Sequence, residues 1–231
     1  MKKGSILTII LILVLVVGLS LMLYPSFSNY WNDLHQTKAI ADYNSVVADM
    51  SDEDCSHLFE DAVEYNKALR NIRFPLMYYD DVAGYDNLLN VASNGIMGYI
   101  SIEKIGVELP IYHGIDETTL QVAVGHIEGS SLPTGGKSTH CALSAHRGLP
   151  SARLFTDLDK LEIGDVFTLT ILDRVLTYQV DQILVVEPDD IEPLYVVDEK
   201  DYCTLVTCTP YGVNSHRMLI RGTRIENEKQ L

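Results

Sequence analysis

The chain has 231 residues, of which 47% are apolar, and a net charge of −15; that length fits one domain with a helical lead-in. The acidic balance excludes nucleic-acid binding and polybasic docking onto anionic lipid. The acids are scattered (Asp49, Asp52, Glu53, Asp54, Asp80, Asp81, Asp189, Asp190) as on a solvated surface, and none has EF-hand spacing, so no metal or cofactor is expected.

Residues 1–4 carry Lys2 and Lys3, and the uncharged stretch Ser5–Tyr24 follows. At about 1.5 Å per residue that stretch spans the roughly 30 Å hydrocarbon core of a bilayer. The lysines favour a cytoplasmic N-terminus, which puts everything after Tyr24 outside the cell. A cleaved signal peptide competes, but Leu23-Tyr24-Pro25-Ser26-Phe27 offers no small-x-small cleavage pair. Residues 25–72 read as a helical lead-in. Leu34, Ala39, Ile40, Tyr43, Val46 and Val47 predict a helix from Trp31 to about Met50. Ser51 is set as the N-cap of a second helix running to about Asn71, with acids in its first turn.

Residues 73–94 are loop-like, broken by Pro75 and Gly84. From there to residue 226 the pattern is of short strands and turns, with 227–231 a tail. Gly98–Ile102 and Val107–Tyr112 form one expected pair, and Asp165–Ile171 and Val175–Val186 another. Thr139–Ala145, Tyr202–Cys208 and Met218–Ile225 are further strands, and Thr118–Val124 and Ala152–Leu161 read as short helices. Many short strands at this spacing indicate a barrel or a sandwich.

Cys208 ends the apolar run that starts at Cys203, and Thr209-Pro210-Tyr211-Gly212 turns the chain before Arg217 opens Met218-Leu219-Ile220. A strand-end cysteine is more often a small core residue than a nucleophile. His146 changes the weighing, because it ends the strand Thr139–Ala145 in a Gly- and Pro-bordered turn. Thiol, imidazole and guanidinium together suit acyl transfer: a nucleophile, a proton donor for the leaving amine, and a cation for the oxyanion. Arg147 and Arg153 compete for the last role, but only Arg217 shares a short connection with Cys208. His216 is a weaker alternative for the acid, and His140 sits mid-strand as a structural residue. His35, His57, His113 and His126 lack metal-ligand spacing. Four cysteines in a chain of this size do not make a disulfide framework.

Thr204-Leu205-Val206-Thr207-Cys208 resembles the TLxTC signature of sortases. Ser144-Ala145-His146-Arg147-Gly148 is similar to their catalytic-histidine segment, and Asn214-Ser215-His216-Arg217 lies where they carry an arginine. Residues 94–100, 126–133 and 154–161 resemble the pilin-polymerising class C branch. The similarity runs from Tyr85 to Ile225.

The resemblance implies a mainly β fold, a closed eight-stranded barrel at 95–226. In it the strands bearing His146 and Cys208 run parallel as neighbours. Cys141 and Cys203 then lie side by side on the opposite face, expected as buried free thiols. It also implies that Cys208 is the nucleophile, His146 the general acid and base, and Arg217 the stabilising cation. The reaction would cut an LPXTG-like sorting signal through a thioester and pass the acyl group to a pilin lysine. For a thiol and an imidazole of ordinary acidity, the thiolate–imidazolium pair is below about 1% of the population at pH 7, so slow turnover would fit. The implied partners are pilin or surface proteins with that signal, an amine acceptor, and the membrane through a single N-terminal span.

Two departures bear on the subclass. Met77–Tyr85 lacks the Asp-Pro-aromatic lid motif of class C, so the lid is expected to be missing or altered, with Asp81 or Tyr79 standing in. The sequence also shows no second, C-terminal hydrophobic segment. A wall-anchoring sortase using a peptidoglycan amine, a hydrolytic cysteine protease and a catalytically silent assembly module remain as alternatives.

Overall fold

The computed structural model describes residues 3–79, 82–92 and 94–226. Its first element, α1 (Lys3–Ala48), is one continuous helix with Pro25 inside it, where the sequence pattern suggests two helices separated near the proline. A proline removes one backbone hydrogen bond and crowds the preceding turn. Tertiary contact offsets that cost, because Ser28, Asn32, Gln36, Ile40 and Tyr43 recur at helical spacing and meet the rest of the protein along one face. Gln36 Nε2 donates to the Val122 carbonyl over 2.7 Å. The buried Tyr43 hydroxyl donates to Met97 O (3.0 Å) and accepts from Leu172 N (2.7 Å). The N-terminal half of α1 is long and apolar enough to cross a membrane, with a mean hydropathy of 2.9 and none of that window buried.

Helix α2 (Asp52–Leu69) begins where its sequence says it should: Ser51 Oγ accepts from Asp54 N over 3.1 Å, and Asp52, Glu53 and Asp54 fill the first turn. Its buried stripe (Cys55, Phe59, Ala62, Tyr65, Leu69) closes one flank of the barrel. Asn66 locks it there, donating to Leu132 O and accepting from Leu132 N. The stretch expected as loop contains one short helix, α3 (Pro75–Tyr78), and a 3-10 turn at Tyr85–Asn87.

Eight strands follow: β1 (Ile96–Ile102), β2 (Val107–His113), β3 (Val124–His126), β4 (Thr139–Ser144), β5 (Val166–Ile171), β6 (Arg174–Val186), β7 (Asp201–Thr209) and β8 (His216–Ile225). They close into a barrel in the order β1-β2-β3-β4-β7-β8-β6-β5. β2–β3 and β4–β7 are parallel, and the remaining pairs antiparallel. Alternation along each strand sends one set of side chains inward. Ile100, Leu143, Phe167, Leu169, Leu205 and Ile220 are among those that fill the interior. On the outer face Ala142, Val206 and Leu219 form a second apolar cluster with Leu194.

Two expected helices are shorter than their patterns. Only Glu117–Leu120 is helical (α4), capped by Asp116 accepting from Thr118 N and Thr119 N, and Val124 already belongs to β3. Gly125 in β3 passes so close to the Gly114 carbonyl that a Cβ would stand 2.3 Å from it, which fixes the chain as an inserted strand. Residues 152–161 are turns ending in a 3-10 turn at Leu158–Lys160. Leu154 has φ +39°, and both Leu154 and its neighbour Phe155 are buried. The backbone bonds a helix needs are taken elsewhere: Phe155 N donates to the His146 carbonyl over 3.1 Å, and the Ser151 carbonyl accepts from Ser28 and Asn32.

Candidate active site

Cys208 and Arg217 are direct cross-strand partners in the antiparallel β7–β8 ladder, so both side chains leave the same face with Cβ atoms about 4.5–5.5 Å apart. The β7–β8 turn that separates them in sequence is what brings them together. In the parallel β4–β7 ladder Cys141 pairs with Cys203 and Ser144 with Val206. Carried two residues further, that register puts His146 level with Cys208. Two hydrogen bonds hold the chain there: Ala145 N donates to Val206 O (3.2 Å) and Thr207 Oγ1 donates to Ala145 O (2.8 Å). Ser144, Val206, Cys208, Arg217 and Leu219 thus share the outer face.

A groove of about 320 Å³ runs along that face. It is lined by Ser144, Val206, Leu219 and Arg217 of the barrel together with Ile115 and Ile127. Leu76 of α3 lines it too, so the 73–94 stretch expected as loop contributes to the wall. The Pro75 carbonyl is packed on Gly129, where a Cβ would be 2.3 Å away. Tyr79, one of the two residues suggested to stand in for the lid motif, sets its ring edge-on against Tyr85, 6.3 Å between centroids. Asp81, the other, lies outside the described residues.

Cys208 and His146 are half-buried. His146 Nε2 is shielded from solvent and has no hydrogen-bond partner among the described residues, with Glu117 Oε2 at 3.8 Å. Glu117 carries no signal in the sequence, because β2, α4 and β3 must be placed before residues 117 and 146 meet. Arg217 Nη1 donates to the carbonyls of Asn214 and His216 (3.3 and 3.1 Å) and has no carboxylate partner among the described residues. Its competitors are engaged: Arg147 pairs with Asp159 and Arg153 with Asp157. His216 is held between Glu187 Oε1 (3.2 Å) and Ser215 Oγ (2.8 Å).

His140 is buried, with Nδ1 donating to the Tyr195 carbonyl and Nε2 accepting from Thr204 Oγ1 over 2.7 Å. Burial holds its pKa down at about 4, only partly opposed by the Tyr195 carbonyl. It is a neutral structural residue. All four cysteines are free. Cys141 and Cys203 point into the core at 2% and 0% exposure, and burial pushes the Cys203 thiol well above its ordinary range. Among the described residues no three His, Cys, Asp or Glu side chains are gathered as a metal ion would require.

A closed barrel with a strand-end thiol beside a guanidinium, and an imidazole on the parallel neighbour, defines a class of cysteine acyltransferases. The sortase-domain family model matches residues 100–225, and the chain belongs to the sortase family, whose members are cysteine transpeptidases. Among solved structures it is similar to sortase C1 from Streptococcus agalactiae, with 51% identity and a TM-score of 0.78 over 83% of this chain and 100% of that one. Sortase C of Streptococcus pneumoniae gives 43% identity and a TM-score of 0.74 over 82% of this chain and 97% of that one. The Clostridium perfringens sortase C solved with a C-terminal cell wall sorting motif gives 43% and 0.72 over 82% and 99%. Among curated relatives, sortase A of Bacillus anthracis is 28% identical over 96% of both chains. Sortase D of Bacillus subtilis is 32% identical over 55% of this chain, a match spanning 63% of that relative's length.

Proposed function

We propose that the chain is a pilin-type transpeptidase. The Cys208 sulfur attacks the Thr–Gly carbonyl of an LPXTG-like signal lying in the groove. The Arg217 guanidinium faces the oxyanion that forms. His146 gives a proton to the departing glycine amine and later takes one from the incoming lysine amine. The acyl group passes from carbon–nitrogen to carbon–sulfur and back, so no other reactant is consumed. The apolar lining at Val206 and Leu219 suits the Leu and Pro of the signal. The observation that carries this reading is the direct pairing of Cys208 with Arg217. The pneumococcal sortase C, described with pilin substrate specificity, supports pilin as substrate, and the lysines before the apolar stretch support a barrel outside the cell.

Sortase A of Bacillus anthracis, matched along nearly all of its length, favours a second reading in which the acceptor is a peptidoglycan amine. The full chain in detergent, given a labelled LPXTG-type peptide, is expected to accumulate a covalent adduct on Cys208 in the absence of amine. Adding pilin should discharge it to an isopeptide, which mass spectrometry reads. Discharge only by cell-wall peptide establishes the second reading, and rapid release of free acid defeats both.

A further inference from the structure

Helix α1 leaves its apolar stretch and docks at once on the loop behind His146. Ser28 Oγ and Asn32 Nδ2 both donate to the Ser151 carbonyl, over 3.1 and 2.6 Å. At the helical rise these two residues lie about 6 and 12 Å past Tyr24. Over the same turns Tyr24, Phe27, Tyr30 and Trp31 are 56, 75, 63 and 60% exposed, the residue types that mark the headgroup layer around a membrane span. The Ser151 carbonyl therefore sits at the depth of that aromatic belt.

From Ser151 the chain runs back to Gly148, where the Tyr211 ring is packed so closely that a Cβ would meet it at 2.8 Å. The Arg147 guanidinium lies over the same ring. The β7–β8 turn is thus fastened to the loop that α1 holds. Its tip presents Tyr211 and Val213 at 60 and 69% exposure. Pro25–Asn32, Gly148–Ala152 and Pro210–Ser215 contain no Asp, Glu, Lys or Arg, in a chain where charged residues make up 21%. A rim that is uncharged, carries exposed aromatic and apolar side chains and is continuous with a candidate span matches a bilayer interface better than water.

We infer that Tyr211 and Val213, with the Leu149–Ser151 turn beside them, form a second contact with the headgroup layer of the membrane that α1 crosses. The inference rests on reading α1 as a span. Cys208 and Arg217 flank this same turn, so the reactive thiol is held just above the lipid.

The test uses the full chain in phosphatidylcholine vesicles, with and without lipid brominated in the upper acyl chain. Trp31 is the one tryptophan, and its quenching reports the anchor. In a Trp31→Phe background, Val213→Trp is expected to lose roughly the same fraction of its emission as Trp31 does. Val197→Trp, at the opposite barrel end just before β7, should lose none. Tyr211→Trp serves as a second reporter if the first variant does not fold. Quenching of Trp31, with position 213 or 211 no more quenched than position 197, overturns the inference alone. An unquenched Trp31 overturns the span, and the inference with it.

Discussion

Thr207 donates its hydroxyl to the Ala145 carbonyl over 2.8 Å, tying together the two residues that immediately precede Cys208 and His146. The bond is buried, so Thr207→Val leaves an unsatisfied carbonyl at a cost of about 1–3 kcal/mol. Misplacing the imidazole relative to the thiol should lower kcat roughly 10- to 100-fold with little change in KM. Steady-state kinetics on a sorting peptide, alongside chemical denaturation, read both effects. An unchanged kcat in a destabilised variant would show that this tie does not set the site.

The two charges near the thiol should matter unequally. Arg217→Ala removes the cation opposite Cys208 and is expected to cost about 10²–10³ in kcat. Glu117 faces His146 at 3.8 Å and is 71% exposed, and an ion pair of that kind contributes about 0–1 kcal/mol. Glu117→Gln should therefore change kcat/KM by less than about fivefold. A larger loss than in Arg217→Ala would reverse the roles assigned here.

Much of this site is legible in the sequence because period-2 alternation decides which residues share a face. Alternation puts Cys208 and Val206 on one side of their strand and Cys203 on the other; that Ser144 and Cys141 fall in line with them follows from the resemblance, which makes the two strands parallel neighbours, and the β4–β7 register agrees. Strands as regular as β5 and β6 announce themselves. β3 does not, since three residues carry no period and its role depends on both neighbours. The union of the apolar stretch and the lead-in into one helix is hidden by Pro25, whose local cost is outweighed by contacts to the Val122 and Ser151 carbonyls far along the chain. The wall that α3 adds to the groove has the same origin.

Thiol reactivity should follow burial. Cys55, Cys141 and Cys203 are 3, 2 and 0% exposed, while Cys208 is half-buried. A thiol reagent should label one cysteine in the native chain and four after denaturation, with no gain on reduction. The native label should vanish in Cys208→Ala. A count of two under denaturing conditions without reductant would reveal a Cys141–Cys203 bond.

His140 should impose an acid limit on stability. Its folded-state pKa of about 4 lies below the ordinary 6.5, so the unfolded chain takes up the proton first. Arg221 opposes its protonation and Asp181 favours it, both weakly beside burial. The folded state is undiminished above about pH 6.5 and weakens as pH falls toward 4, by roughly 3 kcal/mol in all. Urea midpoints measured across that window should slope for the parent chain and flatten in His140→Gln. Parallel slopes would assign the acid limit to other groups.

The alternation of β4 and β7 has a chemical consequence. Sulfur atoms five residues apart on one strand meet different surroundings: Cys203 is fully buried beside Cys141, whereas Cys208 is half-buried on the outer face. Oxidation of a thiol follows its exposure, so a sulfur covered on every side is protected where an accessible one is not. The sheet itself acts as the insulator, and a single-residue slip between these strands would exchange the inert sulfur for the reactive one.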